Sequence, residues 1–117
     1  MIKTFKDIRV WEKTHGLVLT VYKVTAKFPE EEKYCLSNQL RRASISIPSN
    51  IVEGFRRNTK KDRNHFYVIA NGSLEEVKYQ LLLAKDLRYI NDLNYEELVK
   101  QMDEVGKMLS AWIKSQS

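Results

Sequence analysis

The chain has 117 residues, a formal net charge of +5 and a single cysteine, with 43% hydrophobic and 30% charged residues. That balance excludes a disordered chain, and the length fits one domain, residues 1–117, with a core that needs no staples. Cys35 alone makes no intrachain disulfide, no run reaches the ~20 apolar residues of a membrane span, and the opening MIKTFKDIRVWEK lacks an apolar core of signal length, so the expected location is the reducing cytoplasm.

In chain order, the first helix is expected from Asp7, as N-cap, to Phe28. Val10, Thr14, Leu17, Val21, Val24 and Phe28 fall at core spacing, and Trp11, Val18 and Tyr22 widen the face. Pro29 stops this helix, and Glu30, Glu31 and Glu32 suit the N-terminus of the next by the sign of its dipole.

The second helix is expected from Ser37 to Arg57 and organises the rest. Leu36, Leu40, Ala43, Ile47 and Ile51 form one apolar face. Pro48 lies inside it, where a proline removes an amide donor and presses on the carbonyl of Ser44 at a cost of about 3 kcal/mol. The stripe resumes in phase at Ile51, so the pattern predicts one helix with a kink, its freed backbone groups met by Ser44, Ser46 or Ser49. Ile45, Pro48, Val52 and Phe55 form a second apolar stripe, which needs a second packing partner. Ile45, Val52 and Phe55 are therefore the expected oligomer interface. A third stripe, Arg42, Ser46, Ser49, Glu53 and Arg56, is polar and reads either as a solvated face, with a Glu53–Arg57 pair, or as a binding face.

The charge is concentrated here. From Arg41 to His65, Arg41, Arg42, Arg56, Arg57, Lys60, Lys61 and Arg63 stand against Glu53 and Asp62, which accounts for the whole excess of the chain. Arginine suits planar, bidentate contact with phosphate, so these seven are the candidate nucleic-acid-binding residues.

Asn58-Thr59 makes a turn, with Thr59 and Asp62 in the spacing of a capping box. The third helix then runs to Leu87. Phe66, Ala70, Ser73, Val77, Gln80, Ala84 and Leu87 form its main row, and Tyr67, Leu74 and Leu81 a neighbouring one. Asn91 to Asn94 reads as a turn, Asn94 and Glu97 as a cap signal, and Leu98, Met102, Val105, Leu109 and Trp112 as the core row of the fourth helix, with fraying over Ser115 to Ser117. Four such rows with short connections and no strand alternation predict an all-α, antiparallel up-down four-helix bundle.

The stretch QLRRASISIPSNIVEG, Gln39 to Gly54, resembles the signature of a bacterial family of four-helix-bundle proteins encoded in intervening sequences of large-subunit (23S) ribosomal RNA genes, often described as ribosomal proteins. Ser46 to Ile51 and Glu53-Gly54 follow the family's pattern, with Val52 in place of its usual alanine. Val10-Trp11, Phe28-Pro29, Gly72-Ser73-Leu74 and Glu76 extend the likeness over nearly the whole chain. The resemblance implies a four-helix bundle assembled as a homopentameric ring and an association with ribosomal RNA. Related members are accessory proteins of the reverse transcriptases of diversity-generating retroelements.

Catalytic and metal chemistry has no foothold in the sequence. His15 and His65 lack a second ligand at helical spacing, and the reading is a packed or half-buried His15 and a surface His65. Cys35 has no base assignable to it and reads as a buried or idle thiol. Glu75 and Glu76 diverge by about 100° on a helix, so they make no acid–base pair, and Glu76 is free to meet an arginine of the second helix. Glu-x-x-His motifs and phosphate-cradling glycine loops are absent, and the six tyrosines read as core edges with wet hydroxyls. The expectation is a non-enzymatic, cofactor-free oligomer that binds nucleic acid, RNA in the first place, by phosphate neutralisation. The alternative is a protein–protein adaptor that docks a reverse transcriptase or other polymerase.

Overall fold

The computed structural model describes residues 1–116, and among them there are four α-helices and no strand. They are α1 (Arg9–Thr25), α2 (Leu36–Phe55), α3 (Lys60–Asp86) and α4 (Asp92–Ser115). Single 3-10 turns occupy Phe5–Asp7 and Glu30–Glu32. The helices lie side by side in a body of 43 × 26 × 20 Å, whose long axis matches the ~40 Å length of the 27-residue α3. The predicted rows face inward. Val10, Leu17 and Val21 of α1, Leu40, Ala43, Ile47 and Ile51 of α2, Ala70, Leu74, Val77, Leu81 and Ala84 of α3, and Leu98, Met102, Val105 and Leu109 of α4 join one buried cluster. α2 packs most extensively on α3.

Pro48 is buried and does not end α2, which is assigned as continuous from Leu36 to Phe55. The polar groups around it are used. Ser44 Oγ donates to the Arg41 carbonyl at 2.9 Å, and Asn50 Nδ2 donates to the Ser46 carbonyl at 2.7 Å and to Ser46 Oγ at 3.0 Å. Ser73 of α3 donates to Ser46 Oγ at 2.8 Å, which ties the two helices beside the proline. Ser49 is exposed instead.

Several helix boundaries differ from the sequence expectation. Asp7 does not cap α1. Its carboxylate accepts from the Lys3 and Thr4 amides, closing a capping box on the Phe5–Asp7 turn, and Ile8, buried at 1% exposure, precedes α1. α1 ends at Thr25, and Phe28 packs on the core from the loop beyond it. α4 starts three residues earlier than the Asn94 signal, because Asn91 Oδ1 accepts from the Asn94 amide at 2.8 Å. Ser115 belongs to α4 and Gln116 caps it, so fraying does not begin at Ser115, and Ser117 lies outside the described residues. Leu87 is 46% exposed, at the end of α3 rather than in its core row. Thr59 caps α3 as expected, its side chain accepting from the Asp62 amide at 3.2 Å. The α3 C-terminus closes with Tyr89 N–H on the Ala84 carbonyl and Arg88 N–H on that of Lys85, a Schellman motif with Arg88 at φ 67°.

The end of the bundle away from the α2–α3 turn is fastened by Glu32. One of its oxygens accepts from the Leu36 amide at the start of α2 and the other from the Tyr89 hydroxyl at 2.8 Å. That hydrogen bond to Glu32 holds the Tyr89 phenol above its usual range.

Candidate nucleic-acid interface

The α2–α3 turn gathers cations because α2 ends and α3 begins within a four-residue connection, residues 56–59, and basic residues flank it. Arg56 caps the C-terminus of α2, and its exposed side chain points away from the core rows. Arg57 is exposed, pairs with Glu53 at 3.1 Å and lies over the Phe66 ring at 4.7 Å. Lys60 and Lys61 open α3 and are exposed. Arg57, Asp62, His65 and Phe66 line a shallow cleft of about 250 Å³, in which His65 sits edge-on to Phe66.

Arg63 is half-buried and turned inward. Its Nη1 donates to the Arg57 carbonyl at 3.2 Å, which closes the turn from the α3 side. Its Nε is buried without a partner, as are the Tyr67 hydroxyl and the Trp112 indole nitrogen. These three groups lie in one region, since the Tyr67 and Trp112 rings meet at 6.0 Å and the Arg63 charge acts on Tyr67. Burial pushes the Tyr67 phenol up. The Trp112 N–H, near enough to oppose that shift, stands outside hydrogen-bond geometry. Tyr67 is wholly buried, so the expectation of a wet hydroxyl fails there. Its ring lies on the backbone of α2 at Gly54, where a Cβ would come within 2.4 Å of Tyr67 Cε1. The glycine of the Ile-Val-Glu-Gly stretch thus admits the ring that anchors α3 beneath the basic turn.

Arg41 and Arg42 lie apart from this cluster, about 20 Å up α2 by helical rise. Arg41 Nε donates to Thr25 Oγ1 at 2.9 Å and its guanidinium stacks over Tyr22 at 4.6 Å, so it fastens α2 to α1. Arg42, next to it in sequence, is exposed. The arrangement therefore joins Arg56, Arg57, Lys60, Lys61 and Arg63 and leaves Arg41 and Arg42 as a separate pair. Of the apolar stripe, Ile45 is 40% exposed, and Val52 and Phe55 are half-buried, with Phe55 packed against the core.

His15 stacks on Trp11 with ring centroids 5.2 Å apart and lies on the surface rather than in the core. Cys35 is exposed. Glu76 is exposed and accepts from Gln80 Nε2 at 3.2 Å instead of meeting an arginine. Among the described residues, no cluster of three or more His, Cys, Asp or Glu is placed to hold a metal ion, and no helix is long and apolar enough to cross a membrane.

Residues 6–111 match the family described as 23S rRNA-intervening sequence protein. The chain belongs to that family. A solved structure from Bacteroides thetaiotaomicron VPI-5482, described as a protein with unknown function from the S23 ribosomal protein family, has the same fold. It is 26% identical, aligns over 90% of this chain and 95% of its own, and superposes with a TM-score of 0.82. No match is found among curated proteins.

Proposed function

We propose that this member of the family is a non-enzymatic nucleic-acid-binding protein, with RNA as its ligand, acting as a homo-oligomer in the cytoplasm. The observation that carries the reading is the α2–α3 turn, where Arg56, Arg57, Lys60 and Lys61 are exposed together and Arg63 braces the backbone between them. Glu53 and Asp62 are the acidic groups at this place, and Glu53 is already paired with Arg57. The chemistry is phosphate neutralisation with counterion release, so affinity is electrostatic and low in sequence preference. Membership in a family named for an intervening sequence of 23S rRNA favours RNA as the ligand. Ile45, Val52 and Phe55 are the proposed contacts of the oligomer, a pentamer in this reading, and assembly multiplies the basic turns on one particle.

Fluorescence anisotropy with a structured RNA and a matched DNA across a salt series tests the reading. Each phosphate that is no longer neutralised should flatten the log–log salt slope by roughly 0.7 on single strands and 0.9 on duplex DNA. Arg56→Ala with Arg57→Ala should weaken all sequences alike and flatten the slope. Absence of binding at low salt would reject it. In that case the adaptor reading takes over, with the exposed cations of the turn docking a polymerase and the apolar stripe building the oligomer.

A further inference from the structure

α3 and α4 diverge enough to leave an open groove of about 580 Å³ between them. Gly106 and Ala111 supply no bulk on the α4 side, and Leu74 forms the apolar floor. The groove begins beside the basic turn. The Tyr67–Trp112 contact holds the last turns of α4 against the first turns of α3, directly below Lys60 and Arg63. From there its walls carry Asn71 on α3 and Lys114, Ser110 and Lys107 on α4.

The charges along the groove are unequal. In its middle, beside Gly106, Lys78 is paired with Glu75 at 3.1 Å, and Asp103 adds a carboxylate beyond that pair. From that pair toward the turn, where Asn71, Ser110 and Lys114 lie, there is no carboxylate in the lining, and neither Lys107, which flanks the pair, nor Lys114 forms an ion pair among the described residues. Asp103 stands four residues before Lys107 but is not bonded to it. The two lysines are seven residues apart on one helix, about 10 Å along its axis. Two cations at that spacing, with an amide and a hydroxyl between them, suit separate phosphates along an extended strand rather than a compact anion.

We propose that the near half of the α3–α4 groove carries a single strand of nucleic acid onward from the α2–α3 turn, with Lys107 and Lys114 on its phosphates and Asn71 and Ser110 as polar contacts. This rests on the nucleic-acid reading of the turn and adds to it a direction and a preference. A strand leaving the turn follows the groove. A duplex, wider than the space between two neighbouring helices, stays at the turn.

The test uses the full chain and two single-stranded RNAs, one of about four nucleotides and one of about twelve, spanning the range of site sizes known for single-strand binders, together with a duplex of the same sequence. Lys107→Ala with Lys114→Ala should flatten the salt slope on the longer strand by up to about 1.4, or up to about 25-fold in affinity at 0.1 M salt. The same variant should leave the four-nucleotide strand and the duplex unchanged. Gly106→Met gives a second arm without removing charge. A Cβ at Gly106 meets Leu74 Cδ2 at 3.6 Å and Lys78 Nζ at 3.9 Å, both ordinary contacts, so the fold accepts a side chain there and its outer atoms fill the groove. Gly106→Met should flatten the long-strand slope as the lysine variant does, with an unchanged circular dichroism spectrum. If the unaltered protein binds the long strand and loses slope with Arg56→Ala and Arg57→Ala, but neither groove variant changes that slope, the groove is not the path and the turn stands alone. If the unaltered protein binds none of the three, both readings fall.

Discussion

Gly54→Ala should destabilise this protein, against the usual effect of that substitution in a helix. Replacing glycine by alanine inside a helix normally gains up to ~1 kcal/mol. At Gly54 that gain is reduced, because α2 ends one residue later. A Cβ there would stand 2.4 Å from Tyr67 Cε1, 2.9 Å from Cδ1 and 3.0 Å from Cζ. The obstacle is the body of a wholly buried ring, not the end of a flexible chain, and Trp112 backs it. Overpacking of this kind costs about 1–3 kcal/mol. After the offset, the expected loss is about 1–2 kcal/mol, which lowers Tm by roughly 4–8 °C in a chain of this length. Gly16 and Gly72 supply the control, since a Cβ at either meets nothing within 4 Å. Alanine at those two positions should raise stability by roughly 0.5–1 kcal/mol. Urea denaturation followed by circular dichroism compares all three variants. In a Tyr67→Leu background the Gly54→Ala cost should vanish, because the two side chains are in contact and their effects do not add. A Gly54→Ala protein as stable as the parent, or one whose loss persists unchanged in the Tyr67→Leu background, would refute the packing argument.

Tyr67→Phe should be neutral or slightly stabilising in the same assay, because the hydroxyl it removes is buried without a partner. Arg88→Gly should stabilise by up to about 1 kcal/mol, since a non-glycine residue at φ 67° carries the left-handed penalty; no gain in urea midpoint would count against that conformation. Two amide donors hold the Asp7 carboxyl below its usual 3.8, so the stability it contributes is full above that pH and is lost as the pH falls through the depressed value. Asp7→Asn should therefore flatten the acid limb of a pH–stability profile. Tyr89, raised above 10.0 by its bond to Glu32, contributes in the opposite sense, fully below pH 10.0 and less as the pH rises through the raised value; ultraviolet titration of Glu32→Gln should show that phenol ionising earlier.

The core rows were legible in the sequence because helical periodicity and burial demand the same residues. Caps were less so. Asn94 loses the α4 cap to Asn91 three positions earlier, and Asp7 is drawn into the capping box of the Phe5–Asp7 turn, which leaves buried Ile8 at the entry of α1 with no side-chain cap. The basic turn was visible because its residues are close in sequence. Arg63 reads there as one more cation, and only the fold brings its guanidinium to the Arg57 carbonyl. Arg41 likewise meets Thr25 and Tyr22, partners on another helix. The α3–α4 groove gave no sequence signal, because its walls come from segments about thirty residues apart and its decisive feature at Gly106 is a missing side chain.

The Ser-Ile-Pro-Ser-Asn-Ile-Val-Glu-Gly stretch divides by helical phase into three sets with different work. Ser46, Asn50 and Gly54, four residues apart, lie along the seam with α3. Ser46 receives the Ser73 hydroxyl, Asn50 holds Ser46, and Gly54 receives the Tyr67 ring. Ile47, Pro48 and Ile51 fill the core beside them. Packing alone therefore accounts for most of the stretch that carries the family likeness, and that likeness reports on the fold. Ser49 and Glu53 face solvent on the same helix, and Glu53 is occupied by Arg57. The groups of the basic turn left free to meet a ligand, Arg56, Lys60 and Lys61, lie after the stretch, on a turn whose backbone Arg63 fixes from below. A relative with the same α2–α3 seam but a neutral turn would keep this bundle and lose the proposed binding, since function resides in the site that a fold carries rather than in the fold itself.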